Sequence, residues 1–164
     1  MEDVPLAKQV ADELKGCITA SVTCVQEGDY QSAHIYLNQA LSVCELLEYN
    51  AGSAIALHNL ANLYAITGES VAALETAALA LEKAQLSQVD VLAYQTLVHK
   101  LFLVVQKEGI DCVKNKEYAR ALACFEVGMP HMPKESKALA ERQINLLRGL
   151  LNDRQGISRR IYKD

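Results

Sequence analysis

The stretch ALHNLANLYAITGESVAALETAALALEKA, residues 56–84, holds two apolar runs on either side of a short polar turn, TGES. Alanine and leucine dominate both runs, and both residues favour the α-helix. In the first run Leu57, Leu60, Ala61 and Tyr64 recur every three or four positions, which is the spacing of one helix face. The stretch therefore predicts two helices joined by a tight turn.

Two further segments repeat this pattern. QEGDYQSAHIYLNQAL (26–41) and KNKEYARALACFEVGM (114–129) align on it, with Gly28 and Lys116 at the position of Gly68, so the turns are 40 and 48 residues apart. Each copy has a small residue five positions after the turn, namely Ala33, Ala73 and Ala121. A small residue there lets the second helix approach the first closely, and Leu37 and Phe125, four positions later, would fill the groove between the helices.

A repeated helix pair predicts an all-α protein in which pairs stack side by side, because one pair cannot bury both of its apolar faces. The helices are predicted at about 4–26, 29–47, 51–67, 69–85, 88–114, 116–129 and 134–152. The stretch from 88 to 114 has no breaker before Gly109, so it is either one extended helix or a kinked helix.

The last helix, 134–152, places Leu139, Ile144, Leu147 and Leu151 near one stripe with charged residues opposite, which suits a solvating cap. The length fits one domain, residues 1–153. Its parts are predicted as repeats at about 14–47, 51–85 and 88–133, the capping helix, and a basic tail at 154–164 that we expect to be flexible.

The pattern resembles the tetratricopeptide repeat (TPR), whose signature is W-x2-L-G-x2-Y…A-x3-F…P. In the third copy Gly109, Ala121, Phe125 and Pro133 fall on signature positions, and the resemblance covers residues 14–133. The spacing of 40 exceeds the usual 34, and the second copy looks like the long repeats of kinesin light chains. The resemblance implies an α-α superhelix of about three helix pairs plus a C-terminal capping helix, and a role as a protein-binding adaptor or scaffold.

The candidate binding residues lie off the packing stripe of the second copy. The first helix of each pair lines the concave side of such a stack, and Ile55, His58, Asn59, Asn62 and Ile66 point away from the core there. An asparagine side chain offers a donor and an acceptor side by side, which matches an extended peptide backbone. Resemblance to kinesin light chain repeats implies this role for both asparagines. The alternative is that they are merely hydrated.

The equivalent positions in the other copies extend this surface. They include Ile18, Thr19 and Val22 in the first copy, and Lys107 and Lys114 in the third. The two lysines would attract an acidic peptide segment by a modest, screened interaction. The alternative is that both are ordinary solvated lysines.

Charge and hydropathy narrow the possible partners. The net charge is −4, from 16 basic and 20 acidic side chains, which gives no general reason to expect nucleic-acid or anionic-membrane binding. No segment approaches the roughly 20 apolar residues that span a bilayer, and the N-terminal residues do not read as a signal peptide. We expect a cytoplasmic protein.

Catalytic and metal sites are not indicated. The five cysteines form no C-x-x-C, so we expect small buried thiols in a reducing compartment. The four histidines lack zinc-site spacing, although His34 and His58 could each meet a cysteine or carboxylate in space. We therefore expect no cofactor, no metal and no enzyme activity.

The sequence thus predicts a non-catalytic module that binds a peptide or a helix of another protein. One alternative is a dedicated chaperone or assembly subunit that shields an apolar partner segment, because the size, acidity and repeat number also resemble type III secretion chaperones. Another is a homo-oligomer formed through VLAYQTLVHKLFLVV, residues 91–105.

Overall fold

The computed structural model describes the backbone of residues 6–161 and the side chains of residues 8–154. Helices and turns make up these residues, without a strand. The helices are α1 (Leu6–Glu27), α2 (Tyr30–Leu46), α3 (Asn50–Ile66), α4 (Ser70–Leu86), α5 (Leu92–Lys114), α6 (Tyr118–Gly128) and α7 (Lys134–Ile161). A short 3-10 turn, Met129–His131, follows α6. The predicted all-α fold of repeated helix pairs is confirmed.

One turn geometry recurs between consecutive helices from α1 to α6. Each turn has a residue in the left-handed region, where φ is positive, and these residues are Gly28, Glu48, Gly68, Gln88 and Lys116. The next residue donates its N–H to the carbonyl five positions back, at 2.7–2.8 Å in four turns and at 3.4 Å after Gln88. This is the hydrogen bond of a Schellman motif, which satisfies a carbonyl at the end of the preceding helix.

The spacing of these turns explains the repeat length. From Gly28 to Gln88 the left-handed residue recurs at every twentieth position, so the 40-residue repeat consists of two equal halves. The interval is longer only before Lys116, because α5 has 23 residues where α3 has 17. Lys116, with φ of 62°, adopts the conformation of Gly28 and Gly68, which confirms its predicted place in the third turn.

The small residues after the turns lie at the helix contacts. Ala33, Ala73 and Ala121 are each 0% exposed. Leu37 is buried beside Ala33 with Leu60, and Phe125 is buried beside Ala121. The predicted arrangement of a small contact residue followed by a larger one that fills the groove is therefore confirmed in these copies.

Two glycines mark further close approaches. A Cβ on Gly109 of α5 would lie 3.0 Å from the Phe125 ring of α6, which accounts for glycine at this signature position. A Cβ on Gly52 would lie 2.5 Å from the Tyr49 ring and 2.6 Å from the Cys44 Sγ. No role for Gly52 was predicted from the sequence, because the two residues close to it, Tyr49 and Cys44, both precede the helix that contains Gly52.

The chain divides into two compact units, residues 1–98 and 99–164, and the division falls within α5. In the first unit α1 packs on α2, α2 on α3 and α3 on α4, and α1 also contacts α3. In the second unit α6 packs against α7. The single domain predicted over residues 1–153 stays a prediction.

α5 is helical without interruption from Leu92 to Lys114. It begins at Leu92 and not near residue 88, because residues 89–91 follow the Gln88 turn in non-helical conformation. The Leu92 N–H donates to the Asp90 Oδ1 at 3.0 Å, so the Asp90 side chain satisfies one of the free donors at the start of the helix.

The predicted polar outer face of α7 is wrong in part. Ile144 and Leu147 are buried as expected, but Ala140 takes the inward position that the sequence analysis assigned to Leu139, and Leu139 is exposed. Ala140 lies four residues before Ile144 and so shares its helix face, whereas Leu139 lies five residues before it and falls on another side of the helix. The outer face of α7 therefore carries large apolar side chains.

The helix of α7 also extends beyond its predicted end at residue 152 and reaches Ile161. The predicted tail, 154–164, is thus helical over most of its length. Residues 162–164 and the side chains after Arg154 lie outside the described residues, so the flexibility of the tail stays a prediction.

We expect Lys116→Gly to raise the free energy of unfolding by about 0.5–1 kcal/mol, because a side chain at positive φ is strained and glycine is not. Asn115→Gly is the matched control, since this neighbouring residue does not have a positive φ. Thermal unfolding followed by circular dichroism measures both variants. Equal behaviour of the two variants would contradict the strain at Lys116.

Candidate protein-binding surface

One side of α3 remains accessible in the first unit. Ile55, Asn59, Asn62 and Ile66 follow one another at helical spacing and so lie along one side of the helix. We call these four residues the α3 stripe. The isoleucines at its ends are 42% and 53% exposed, and the asparagines between them are half-buried.

The opposite side of α3 forms the core, as predicted. Leu57, Leu60 and Ala61 are buried, and Tyr64 is half-buried with its ring packed against a core cluster. Because these residues hold α3 against its neighbours, the direction in which the α3 stripe points is fixed by packing.

Both asparagines of the stripe are held by their own helix. The Asn59 Nδ2 donates to the Ile55 carbonyl at 2.9 Å, and the Asn62 Nδ2 donates to the His58 carbonyl at 3.1 Å. Each bond uses one of the two amide protons. The second proton and the Oδ1 acceptor remain for a ligand, and the bond to the helix reduces the rotamer entropy that binding would cost.

His58 lies at the edge of the stripe and faces α5. Its ring meets the Tyr94 ring edge-on, with the centroids 5.2 Å apart and the planes at 81°. Its buried Nδ1 has no hydrogen-bond partner among the described residues, and burial lowers the pKa of His58. The structure therefore places His58 in a packing contact within the first unit, beside the α3 stripe.

The predicted positions on α1 fall into two groups. Thr19 and Val22 are exposed, like the stripe residues they correspond to, and the Thr19 Oγ1 donates to the Lys15 carbonyl at 2.8 Å. Ile18, which corresponds to His58, is half-buried and packs against two core clusters. Part of the Ile18 side chain is therefore used in core packing, and its place on a binding surface stays a prediction.

The two predicted lysines of α5 belong to the second unit, and both are exposed. Lys114 lines an apolar groove in that unit, whereas Lys107 is not among the residues that line it. The Lys114 Nζ lies 3.4 Å from the Asp111 Oδ1, and this exposed pair contributes little to stability. The structure thus separates two residues that the sequence treated as equivalent.

A polar cluster between α2 and α3 was not predicted from the sequence. The Tyr64 hydroxyl and the His34 Nε2 are 3.1 Å apart, and the Asn38 Nδ2 lies 2.6 Å from the His34 Nδ1. His34 and His58 thus each meet a tyrosine, and not the cysteine or carboxylate that the sequence left open. Only the periodicity of α2 and α3 could have hinted at this contact, because 30 residues separate His34 from Tyr64.

Burial keeps four of the five cysteines as protonated thiols. Burial raises the pKa of the Cys17, Cys44 and Cys112 thiols, and it raises the pKa of Cys124 to about 11. A thiol with a raised pKa is almost wholly protonated near neutral pH and is a poor nucleophile or metal ligand.

Neither a metal-binding group nor a membrane-spanning helix is found in the part of the chain that the structure describes. Within that part of the chain, no three His, Cys, Asp or Glu side chains are grouped so that they could hold a metal ion. None of the described helices combines the length and the apolar character needed to cross a membrane.

The sequence matches no protein-family model, and no curated protein or solved structure is significantly similar to it. The resemblance to the TPR therefore stays a prediction from the sequence, and the function has to be proposed from the surface itself.

We expect the stability of the protein to fall as the pH decreases through about 6.5, in part because of His58. The unfolded chain binds a proton at the ordinary histidine pKa of about 6.5, while folded His58 resists protonation. Above that pH His58 is unprotonated in both the folded and the unfolded state, so its protonation no longer affects the stability. His131, whose pKa is lowered by burial and by Lys137, acts in the same direction.

His58→Phe isolates the His58 contribution, because phenylalanine can keep the ring contact with Tyr94 and has no buried Nδ1. The melting temperature at pH 7.5 and at pH 5.5 should differ less in this variant than in the wild type. The same pH dependence in both proteins would contradict the buried position of His58.

Proposed function

We propose that this chain is a non-catalytic protein–protein interaction module of the TPR type, which binds a peptide or helical segment of another protein along the α3 stripe. The supporting observation is the stripe itself: two asparagines anchored to their helix between two exposed isoleucines. We further propose that the protein acts in the cytoplasm as an adaptor or scaffold.

The dimensions of the stripe fit a short extended peptide. Ile55 and Ile66 are eleven residues apart, which corresponds to about 16 Å along a helix and to about five residues of an extended chain. Backbone N–H and C=O groups of such a peptide can pair with the free Oδ1 and N–H groups of Asn59 and Asn62. The isoleucines then provide apolar contacts for side chains at either end.

This arrangement favours recognition of a backbone over one particular side chain. A carboxamide offers a donor and an acceptor without a charge, so it can bind any extended segment whose neighbouring side chains suit the isoleucines. Thr19 and Val22, which correspond to Asn59 and Asn62, would extend the surface onto α1, the helix that contacts α3.

The test is affinity capture of partners with the full-length chain carrying Asn59→Ala and Asn62→Ala, quantified by mass spectrometry. The matched control is Asn115→Ala with Asn152→Ala, two exposed asparagines outside α3. We expect at least one protein to be recovered by the wild type and by the control, and to fall about tenfold with the stripe variant, which corresponds to about 1.4 kcal/mol.

A segment of that partner should then bind the purified wild type about tenfold more tightly than it binds the stripe variant. Equal recovery of every partner by a folded stripe variant would show that the α3 stripe does not bind them.

A further inference from the structure

A second surface lies in the unit that begins at His99. It is an apolar groove of about 460 Å³ between the end of α5, α6 and α7. The groove is lined by Ile110, Val113, Lys114, Tyr118, Phe125, Gln143, Leu146, Leu147 and Leu150. Its volume lies in the range of sites that bind ligands or partner side chains.

The side chains that line the groove are large and apolar, yet several of them are exposed to solvent. Leu146 is 69% exposed and Leu150 is 45% exposed, and both extend from α7 beside Leu147, a buried residue that lines the same groove. Ile110 and Val113 of α5 are exposed on the other side of the same groove. A contiguous patch of large apolar side chains on a soluble protein marks an interaction site, whereas single exposed residues do not.

The spacing of these side chains suits a helix. Along α7 the lining residues recur at intervals of three and four, from Gln143 to Leu150, and so form a row about 10 Å long. Rows of this kind pack against the ridges of another helix, and an amphipathic helix in a groove is a common mode of recognition. The length accommodates about two turns of such a helix.

The charged side chains around the groove determine which charges a bound partner segment should carry. Lys114 alone is charged among the described residues that line it. The Arg154 guanidinium lies 4.9 Å from the centre of the Tyr118 ring, which also lines the groove, so a cation–π contact holds a second positive charge there. Asp111 pairs with Lys114 and offsets part of this charge, and the remaining balance favours an acidic occupant.

We propose that this groove binds a short amphipathic helix of a partner protein that carries acidic residues beside its apolar face. This site differs from the α3 stripe in its unit, its chemistry and its mode of binding, and it does not depend on the function proposed for the stripe.

Fluorescence anisotropy with a labelled synthetic peptide tests the proposal. The probe has about 18 residues, with leucines at helical spacing on one face and glutamates beside them, since shorter helices are marginal in water. A matched peptide carries lysine in place of each glutamate. We expect the acidic peptide to bind the full-length protein with a micromolar Kd and the basic peptide to bind at least tenfold more weakly.

Variants of the protein, each with a matched control, test whether the acidic peptide binds in the groove. Leu146→Ser should weaken the acidic peptide about tenfold, and Lys114→Glu with Arg154→Glu should weaken it to a similar extent. Leu103→Ser and Lys100→Glu are the controls, because both residues are exposed on α5 but neither lines the groove, and both variants should bind the acidic peptide normally. The Asn59→Ala, Asn62→Ala variant should also bind normally, which separates this test from that of the α3 stripe.

Three outcomes would overturn the proposal. The first is equal binding of the acidic and basic peptides, and the second is unchanged binding by the Leu146→Ser variant. The third is a wild-type dimer in analytical ultracentrifugation that Leu146→Ser dissociates, because the occupant of the groove would then be a second copy of this chain.

Discussion

Paired helices in this protein meet at alanines, and the rest of the structure depends on that contact. Ala33, Ala73 and Ala121 are fully buried at the same position after the turn in each copy. The distance between two packed helices is set by the side chains at their contact, so a methyl group at this point brings the backbones close together. Larger residues such as Leu37 and Phe125 then fill the space that remains beside the alanine.

The turns and the contacts together determine where binding can occur. From Gly28 to Gln88 the Schellman turns recur at every twentieth residue, so the first two copies place corresponding residues on the same helix faces. α3 packs against α1, α2 and α4. These contacts bury its apolar side and leave the α3 stripe accessible. The asparagines are therefore not part of the core that holds the protein together, and they are free to serve recognition.

The sequence predicted features that depend on a few neighbouring positions. The shared turn at Gly28, Gly68 and Lys116 follows from alignment of three segments, and the buried alanines follow from the turn. The α3 stripe also follows, since it is the side of the helix that the core spacing leaves over. What the stripe binds does not follow, because exposed asparagines have the same spacing whether or not a partner covers them.

The features that the sequence missed depend on contacts between distant residues or on a single step of register. His58 meets Tyr94, and His34 meets Tyr64, across pairs of helices, and no local pattern specifies which aromatic ring a histidine will face. Ala140, and not Leu139, has the helical spacing of four and seven residues from Ile144 and Leu147, but the larger side chain of Leu139 was predicted to be the buried one. The exposed Leu139 adds a large apolar side chain to the outer face of α7.

The thermal stability of Ala121→Leu compared with Ala123→Leu tests the role of the alanine contacts most directly. Both residues belong to α6, but Ala121 is fully buried and Ala123 is exposed. We predict that Ala121→Leu loses about 3 kcal/mol of unfolding free energy, or roughly 10 °C in Tm, because the added side chain has no space at the contact. Ala123→Leu should melt close to the wild type. Nearly equal melting temperatures for the two variants would contradict the close approach of the helices at this position.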